Sequence, residues 1–335
     1  MNALDITVLE WHYTKINMKK ISRKGCLQSG VMAAVMASIL SPASADAEIL
    51  ISENLSLSGF VDMSAGSTDS DDPDVGTSEW YGLDQFELDF MYEYDPSLNA
   101  RVDINWLSGD KVDLEQAFFT YSMGNGFSIT AGRFLSAIGW EAAEPVDMYQ
   151  YSYGTSVKYP GYHNGIALGY DTEMFGLYGS IIDDIWAEDT VGDAEELGYE
   201  LQLSLTPIEG FTTKIQYASQ DKGAYDKDLF NVWASYEIGS LLLAAEYDSY
   251  DGWNAPGVDG DGWLVMGNYG FTDNLGLTLR YSVNDGDDYD ASDFTISPGY
   301  VFTDNIAGLI EYKHTDYDEG GFDEDSVAVE VLFTF

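Results

Sequence analysis

The C-terminal stretch Ser326 to Phe335 reads SVAVEVLFTF. Val327, Val329, Val331, Phe333 and Phe335 share one face, and Ser326, Ala328, Glu330 and Thr334 share the other. Successive side chains of a strand point to opposite sides, so this is a period-two strand with one apolar flank. An apolar row beside a polar one, closing on an aromatic residue, suits a strand set between hydrocarbon and a wet interior.

Composition points the same way. The chain has 335 residues, 45% of them hydrophobic, yet its most apolar stretch, Val31 to Leu40, is far shorter than the ~20 residues a spanning helix needs. Against 58 acids stand only 14 Lys and Arg, too few for a nucleic-acid surface. Aromatic residues make up 14% of the chain, and their place in alternating runs argues against disorder.

Export is the next expectation. Met18, Lys19, Lys20, Arg23 and Lys24 form a basic region, Val31 to Leu40 an apolar core, and Ala43-Ser44-Ala45 an A-x-A cleavage site. Residues 1–45 are therefore read as an upstream extension, Met1 to Asn17, plus a signal peptide, and 46–335 as one barrel domain. Cys26 precedes the apolar core and lacks small apolar residues before it, so lipidation is not expected. Without residues 1–45 the chain loses five of its 14 basic residues and two acids. That leaves 9 basic and 56 acidic residues, a formal charge of −47, and no cysteine.

Residues beyond 45 divide into sixteen alternating runs, from 54–66 and 80–94 at the start to 305–315 and 325–335 at the end. Compact turn formers such as Asp95-Pro96-Ser97, Gly124-Asn125 and Thr272-Asp273 alternate with longer connections, the longest being Leu135 to Gly161. An even strand number with short turns at one end and longer loops at the other marks an outer-membrane barrel. The expected fold is an all-β, antiparallel up-and-down transmembrane β-barrel of about sixteen strands.

A soluble β-sandwich has the same period, with its apolar rows turned to a core. Ring positions separate the two. Seven of the eight even-numbered runs finish on aromatics, among them Tyr92, Tyr94, Tyr121, Tyr170, Tyr236, Tyr269, Tyr300 and Phe333. Odd runs end in Trp106, Phe134, Tyr217, Tyr247, Tyr281 and Tyr312. Two belts at headgroup level follow. Pro298 inside a run predicts a bulge or a shifted boundary. Around Leu114 to Tyr121 the parity slips, leaving open whether Glu115 or Gln116 faces the lumen.

Sixteen strands leave an aqueous channel where eight would fill with side chains. Parity puts Glu87, Asp89, Asp103, Glu200, Glu246, Glu311 and Glu330 on the inner wall, with Arg101, Lys214, Arg280 and Lys313. Such acids raise the local cation concentration, which predicts cation preference. If most acids lie in external loops, the effect on conduction is small. Arg133 points at lipid by strict parity with Phe127 and Ile129, a costly place, so a bulge turning it inward is expected.

Gly126 to Tyr170 reads GFSITAGRFLSAIGWEAAEPVDMYQYSYGTSVKYPGYHNGIALGY, preceded by LEQAFFTYSM at 114–123. These segments resemble the OmpL-like β-barrel porins of the bacterial outer membrane. That family pairs a QA-aromatic strand and an AG-basic-F strand with an IG-x-E segment and a later HNG element. The resemblance implies a porin, without naming a substrate, and brings no catalytic residues. It also implies that the third external loop, 135–161, folds inward as a constriction carrying Glu141, Glu144, Asp147, Tyr149 and Tyr151, with Arg133 beside it. The alternative is an external cap packed by its own tyrosines.

The expected function is passive diffusion of small hydrophilic solutes and ions, with no cofactor, in contact with outer-membrane lipid and lipopolysaccharide. A sugar-selective channel using the loop aromatics, and a structural or adhesion barrel, stand as alternatives. The acidic runs DSDDPD (69–74), DGDDYD (285–290) and DEGGFDED (318–325) offer oxygen ligands but lack the spaced EF-hand pattern, so no dedicated metal site is expected. Catalysis is not expected either: beyond residue 45 there are only His163 and His314, no Cys, and no G-x-S-x-G. Sixteen-stranded porins favour trimers, yet no run marks an interface, so monomer and homotrimer both stay open.

Overall fold

The computed structural model describes residues 49–335 except 73, 109–110, 142–143, 186–195, 254, 288 and 319–320; the expected signal peptide and upstream extension lie outside the described residues. Its strands are β1 (Ile49–Leu50), β2 (Leu55–Ser70), β3 (Thr77–Asp95), β4 (Leu98–Leu107), β5 (Val112–Gly124), β6 (Phe127–Leu135), β7 (Tyr162–Asp171), β8 (Phe175–Ile182) and β9 (Gly198–Leu205). There follow β10 (Phe211–Asp221), β11 (Asp226–Ile238), β12 (Leu241–Asp251), β13 (Gly260–Gly270), β14 (Leu275–Gly286), β15 (Asp290–Thr303), β16 (Ile306–Tyr317) and β17 (Phe322–Thr334). From β2 onward each pairs antiparallel with the next and β17 returns to β2, closing a sixteen-stranded barrel; β1 lies against the start of β2.

The terminal strand makes the closure. Glu324 to Thr334 pair with Ser70 to Phe60, and beyond them Gly59 and Phe335 exchange both backbone hydrogen bonds at 3.0 Å. A Cβ on Gly59 would stand 2.3 Å from the Glu87 carbonyl and 3.0 Å from the Phe335 ring, so glycine is what the seam accommodates.

Side-chain rows are inverted relative to a soluble sheet. On β17, Val327, Val329, Val331 and Phe333 are 43–48% exposed, while Ala328, Glu330 and Leu332 are at most 2% exposed. Leu332 is an apolar residue on the inner row, where it packs with Leu309 and Ala328 against Tyr151. At the short-turn end, rings pair across the outer surface: Phe127 with Tyr170 at 4.5 Å, Tyr269 with Phe271 at 5.0 Å, Tyr300 with Phe302 at 5.1 Å. Trp263 and Tyr281, at 5.5 Å, belong to the other end. Phe134 departs from the expected belt. It is buried inside, edge-on to His163 at 5.0 Å.

Several runs extend beyond their expected ends. β2 and β3 continue to Ser70 and from Thr77, and β16 and β17 to Tyr317 and from Phe322, so much of the acidic sequence is strand rather than loop. Antiparallel pairing persists while the register holds, and past the belts both faces meet water. Pro298 inserts no bulge. Ile296↔Tyr312 and Gly299↔Leu309 keep one register, and the Ser297 hydroxyl donates to the Ile310 carbonyl at 3.4 Å.

Register shifts next to the short turns occur at Glu93/Asp95, Ser122/Gly124 and Val301/Thr303, and two more lie within the strands that flank β4. Asp62↔Gln85 gives way to Met63↔Leu83, so Asp84 is an extra residue in β3. Asp103↔Gln116 gives way to Ile104↔Leu114, so Glu115 is an extra residue in β5. Such bulges re-aim side chains. Gln116 donates to Asp103 at 2.5 Å and Asn105 to Glu115 at 2.8 Å, so both residues of the slipped segment face the lumen.

Placing a charge on the outer row tests this inside-out arrangement. Val329→Arg is expected to destabilise the folded barrel by ~2–4 kcal/mol if it lies near the bilayer midplane, measured by denaturant titration in lipid vesicles; an unchanged midpoint would contradict it.

Candidate functional site

Between β6 and β7 the chain turns into the barrel rather than over it. A segment crossing the lumen has no ladder for its backbone N–H groups, and each needs an acceptor. Carboxylates of the inner wall supply them. Glu200 on β9 accepts from the Ser136 hydroxyl at 2.5 Å and from Ala137 N at 3.4 Å. Glu246 on β12 accepts from Trp140 N at 2.7 Å, Glu311 on β16 from Tyr151 N at 2.7 Å, and Asp293 on β15 from Thr155 N at 2.7 Å. Loop carbonyls are met in turn: Gln216 donates to that of Ala137, Thr278 to Tyr149 at 2.7 Å, and Lys313 to Tyr153 at 3.0 Å.

Apolar contacts add to this lacing. Trp140 meets Trp233 with ring centres 5.2 Å apart, beside Leu242, Leu264 and Met266, with Tyr149 packed on the same group. Tyr151 stacks on Trp80 at 6.4 Å and shares a hydrogen bond with Ser64 at 3.1 Å. These two tyrosines are thus held against the wall. Asp147 ends a short 3-10 turn, Pro145–Asp147, that lies along β17.

Glu141 is the centre of the loop's anchorage. It accepts from Arg280 at 2.7 Å, from Gln150 at 2.6 Å and from Gly154 N at 2.9 Å, while Arg280 also donates to the Ser152 carbonyl at 2.5 Å and to Thr295 at 3.0 Å. Of the wall charges expected from parity, Glu87, Asp103, Glu200, Lys214, Arg280 and Glu311 are at most 5% exposed. Their neighbours are packed groups rather than open water, with Lys214 lying 5.3 Å over the Trp233 ring. Arg101 and Asp89 differ, their side chains keeping 31% and 15% of their exposure.

Arg133 does not turn inward as expected. The pairs Ala117↔Arg133 and Arg133↔Asn164 keep the registers of both flanking ladders, and Thr130 and Phe134 occupy the buried inner row. It stays on the outer row two positions from the loop end of β6, where its Nε donates to the Glu115 carbonyl at 3.1 Å. A rim position spares its charge the hydrocarbon, so no bulge is needed.

The remaining charged patch lies on β3, β4 and β5. Nearest carboxylate oxygens of Glu87, Glu115 and Glu144 lie within 4.8 Å of one another, as do those of Glu87, Asp89 and Asp103. Arg101 bridges Asp103 at 2.7 Å and Asp89 at 3.2 Å. Glu144 accepts from the Tyr162 hydroxyl at 2.8 Å, and burial, then the Glu115 and Asp89 carboxylates, push its carboxyl well above the usual range. The parity slip at 114–121 leaves Glu115 open as a wall residue, and Asp293 is missed, although the polar row Asp293, Thr295, Ser297 marks it.

A closed sixteen-stranded barrel with an inward third loop is the architecture of a porin. Residues 55–335 match the family model described as "Putative beta-barrel porin-2, OmpL-like". The chain belongs to the OmpL-like β-barrel porins. Similar solved structures include Pseudomonas putida OprB at high pH, with TM-score 0.69 and 11% identity over 84% of this chain and 94% of that one. An anion-selective porin from Comamonas acidovorans gives 0.61 and 14%, covering 84% and 99%. OmpT of Vibrio cholerae in a trimer form gives 0.60 and 13%, covering 84% and 100%. Identities this low speak for the fold alone. A search of curated proteins finds no match.

Removing the guanidinium of Arg280 leaves Glu141 and Asp293 without their buried partner, a loss that typically costs ~3–5 kcal/mol. Arg280→Met in this porin is expected to free the lumen loop, read as new proteinase K cleavage within 136–161 in reconstituted vesicles. Continued resistance would show that the other anchors suffice.

Proposed function

We propose that this porin lets small hydrophilic solutes and ions diffuse passively across the outer membrane, with cations preferred and no chemical step. One observation carries the reading: Asp89 and Arg101 keep part of their exposure in the narrowed lumen, set beside the carboxylates of Glu87, Glu115 and Glu144. Acids in excess draw cations into the passage, and the arginine set among them orients water and polar solutes. Glu141, Glu144, Asp147, Tyr149 and Tyr151 shape the constriction, the first by holding the loop and the second by bringing a third carboxyl group to Glu87 and Glu115. The tyrosines pack against the wall, which favours diffusion over a sugar-selective channel.

The assembly we propose is a homotrimer, on the strength of the trimer form among the similar structures. Outer-membrane lipid meets its apolar rows, and lipopolysaccharide phosphates meet the acidic strand ends through divalent ions.

Planar-bilayer recording tests the reading. Ohmic conductance and a reversal potential on the cation side are expected in a KCl gradient, with Asp89→Asn moving that potential towards zero. An anion-side potential would sink the proposed preference, and block by a particular solute would replace diffusion with selective transport.

A further inference from the structure

We propose that a Ca²⁺ ion binds among Glu87 on β3, Glu115 on β5 and Glu144 of the lumen loop, pinning the loop to that side of the wall. The three carboxylates come within 4.8 Å of one another. Calcium takes oxygen ligands at ~2.3–2.6 Å, so ligands on opposite sides of one ion stand about 5 Å apart. The observed spacing fits.

A second observation falls at the same place. Gln85 and Asn105 are 3% and 5% exposed, and their amide oxygens have no hydrogen-bond partner. Both amides adjoin the carboxylates in question, Gln85 donating to Glu87 at 3.1 Å and Asn105 to Glu115 at 2.8 Å, and a half-turn of either amide would present its oxygen to an ion there. Glu115 Oε2 is also shielded and without a partner. Buried polar oxygens are ordinarily satisfied, and here every orphan is a hard oxygen, the donor type of which Ca²⁺ gathers six to eight. Carboxylates this close cannot all stay ionised unless a cation joins them or protons are shared. Arg101 is engaged with the adjoining pair Asp89 and Asp103. The bulge residue Glu115 is what brings the third carboxylate within reach.

Calorimetric titration of Ca²⁺ into chelator-stripped, refolded porin in detergent reads this site without conduction, so its outcome is independent of whether the barrel passes ions. A one-to-one event is expected, weakened about tenfold or more by Glu115→Gln or Glu144→Gln, weakened less by Asn105→Ala, and unaffected by Asp325→Asn on the rim. Ca²⁺ should protect the loop from proteinase K in the wild type but not in Glu144→Gln. That substitution lies in the loop, and its barrel folding is checked by heat-shifted gel migration. Binding that survives both carboxamide variants overturns the proposal. So does the absence of binding by folded wild-type protein, which would assign the carboxylates to proton sharing.

Discussion

Hydrocarbon offers a backbone nothing to bond to, so every N–H and C=O that crosses it must be satisfied within the protein. Sixteen strands meet that demand only as a ring, because an open sheet leaves two unpaired edges. The seam between β17 and β2 is therefore the joint on which the other pairings rely, and the reciprocal bonds of Gly59 and Phe335 extend it to the last residue. The outward rows can then be apolar without exception of structure, since no polar backbone group remains on that side.

The same demand returns inside the barrel in another form. A loop laid across the lumen brings N–H groups but no neighbouring strand, and the wall answers with Glu200, Glu246, Asp293 and Glu311. A carboxylate only accepts and has room for several donors, which suits it to an irregular backbone. Hydrogen bonds to a charged group are also stronger than neutral ones, which offsets part of the desolvation these acids suffer. Net charge is consequently a poor guide to selectivity in this lumen. An acid that holds the loop is spent on architecture, and an acid such as Asp89 that still meets water acts on passing ions.

What could be read from residue order follows from this division. Strand number, closure and the outer rows were legible because a period of two is imposed by the backbone itself, as β17 illustrates. The acids Glu87, Glu200 and Glu311, which the same rule assigns to the inner wall, are buried. Their partners were not legible, since residues 136–161 have no period and their contacts come from strands as many as 160 positions away. Phe134 and Leu332 show the limit from the other side. Both are apolar residues on inner rows, because a loop with Ile138 and Tyr151 turns part of the lumen into a packed core.

Arg133 and Glu115 make the contrast sharper. Arg133 looked misplaced by parity, and a bulge in β6 was the expected remedy, whereas Glu115 stood where the parity slips with its facing left open. Only β5 has one. Arg133 sits close enough to a strand end for its charge to reach the rim, whereas residues 114 to 116 lie beside Asp103 and Asn105, where an added inward carboxylate gains a donor at 2.8 Å. A bulge costs a ladder position, so it persists where the re-aimed side chain finds something to do. On β3 and β5 it brings Asp84-Gln85 and Glu115-Gln116 to the strand between them, and the place where the alternation fails is where the lumen's chemistry is concentrated.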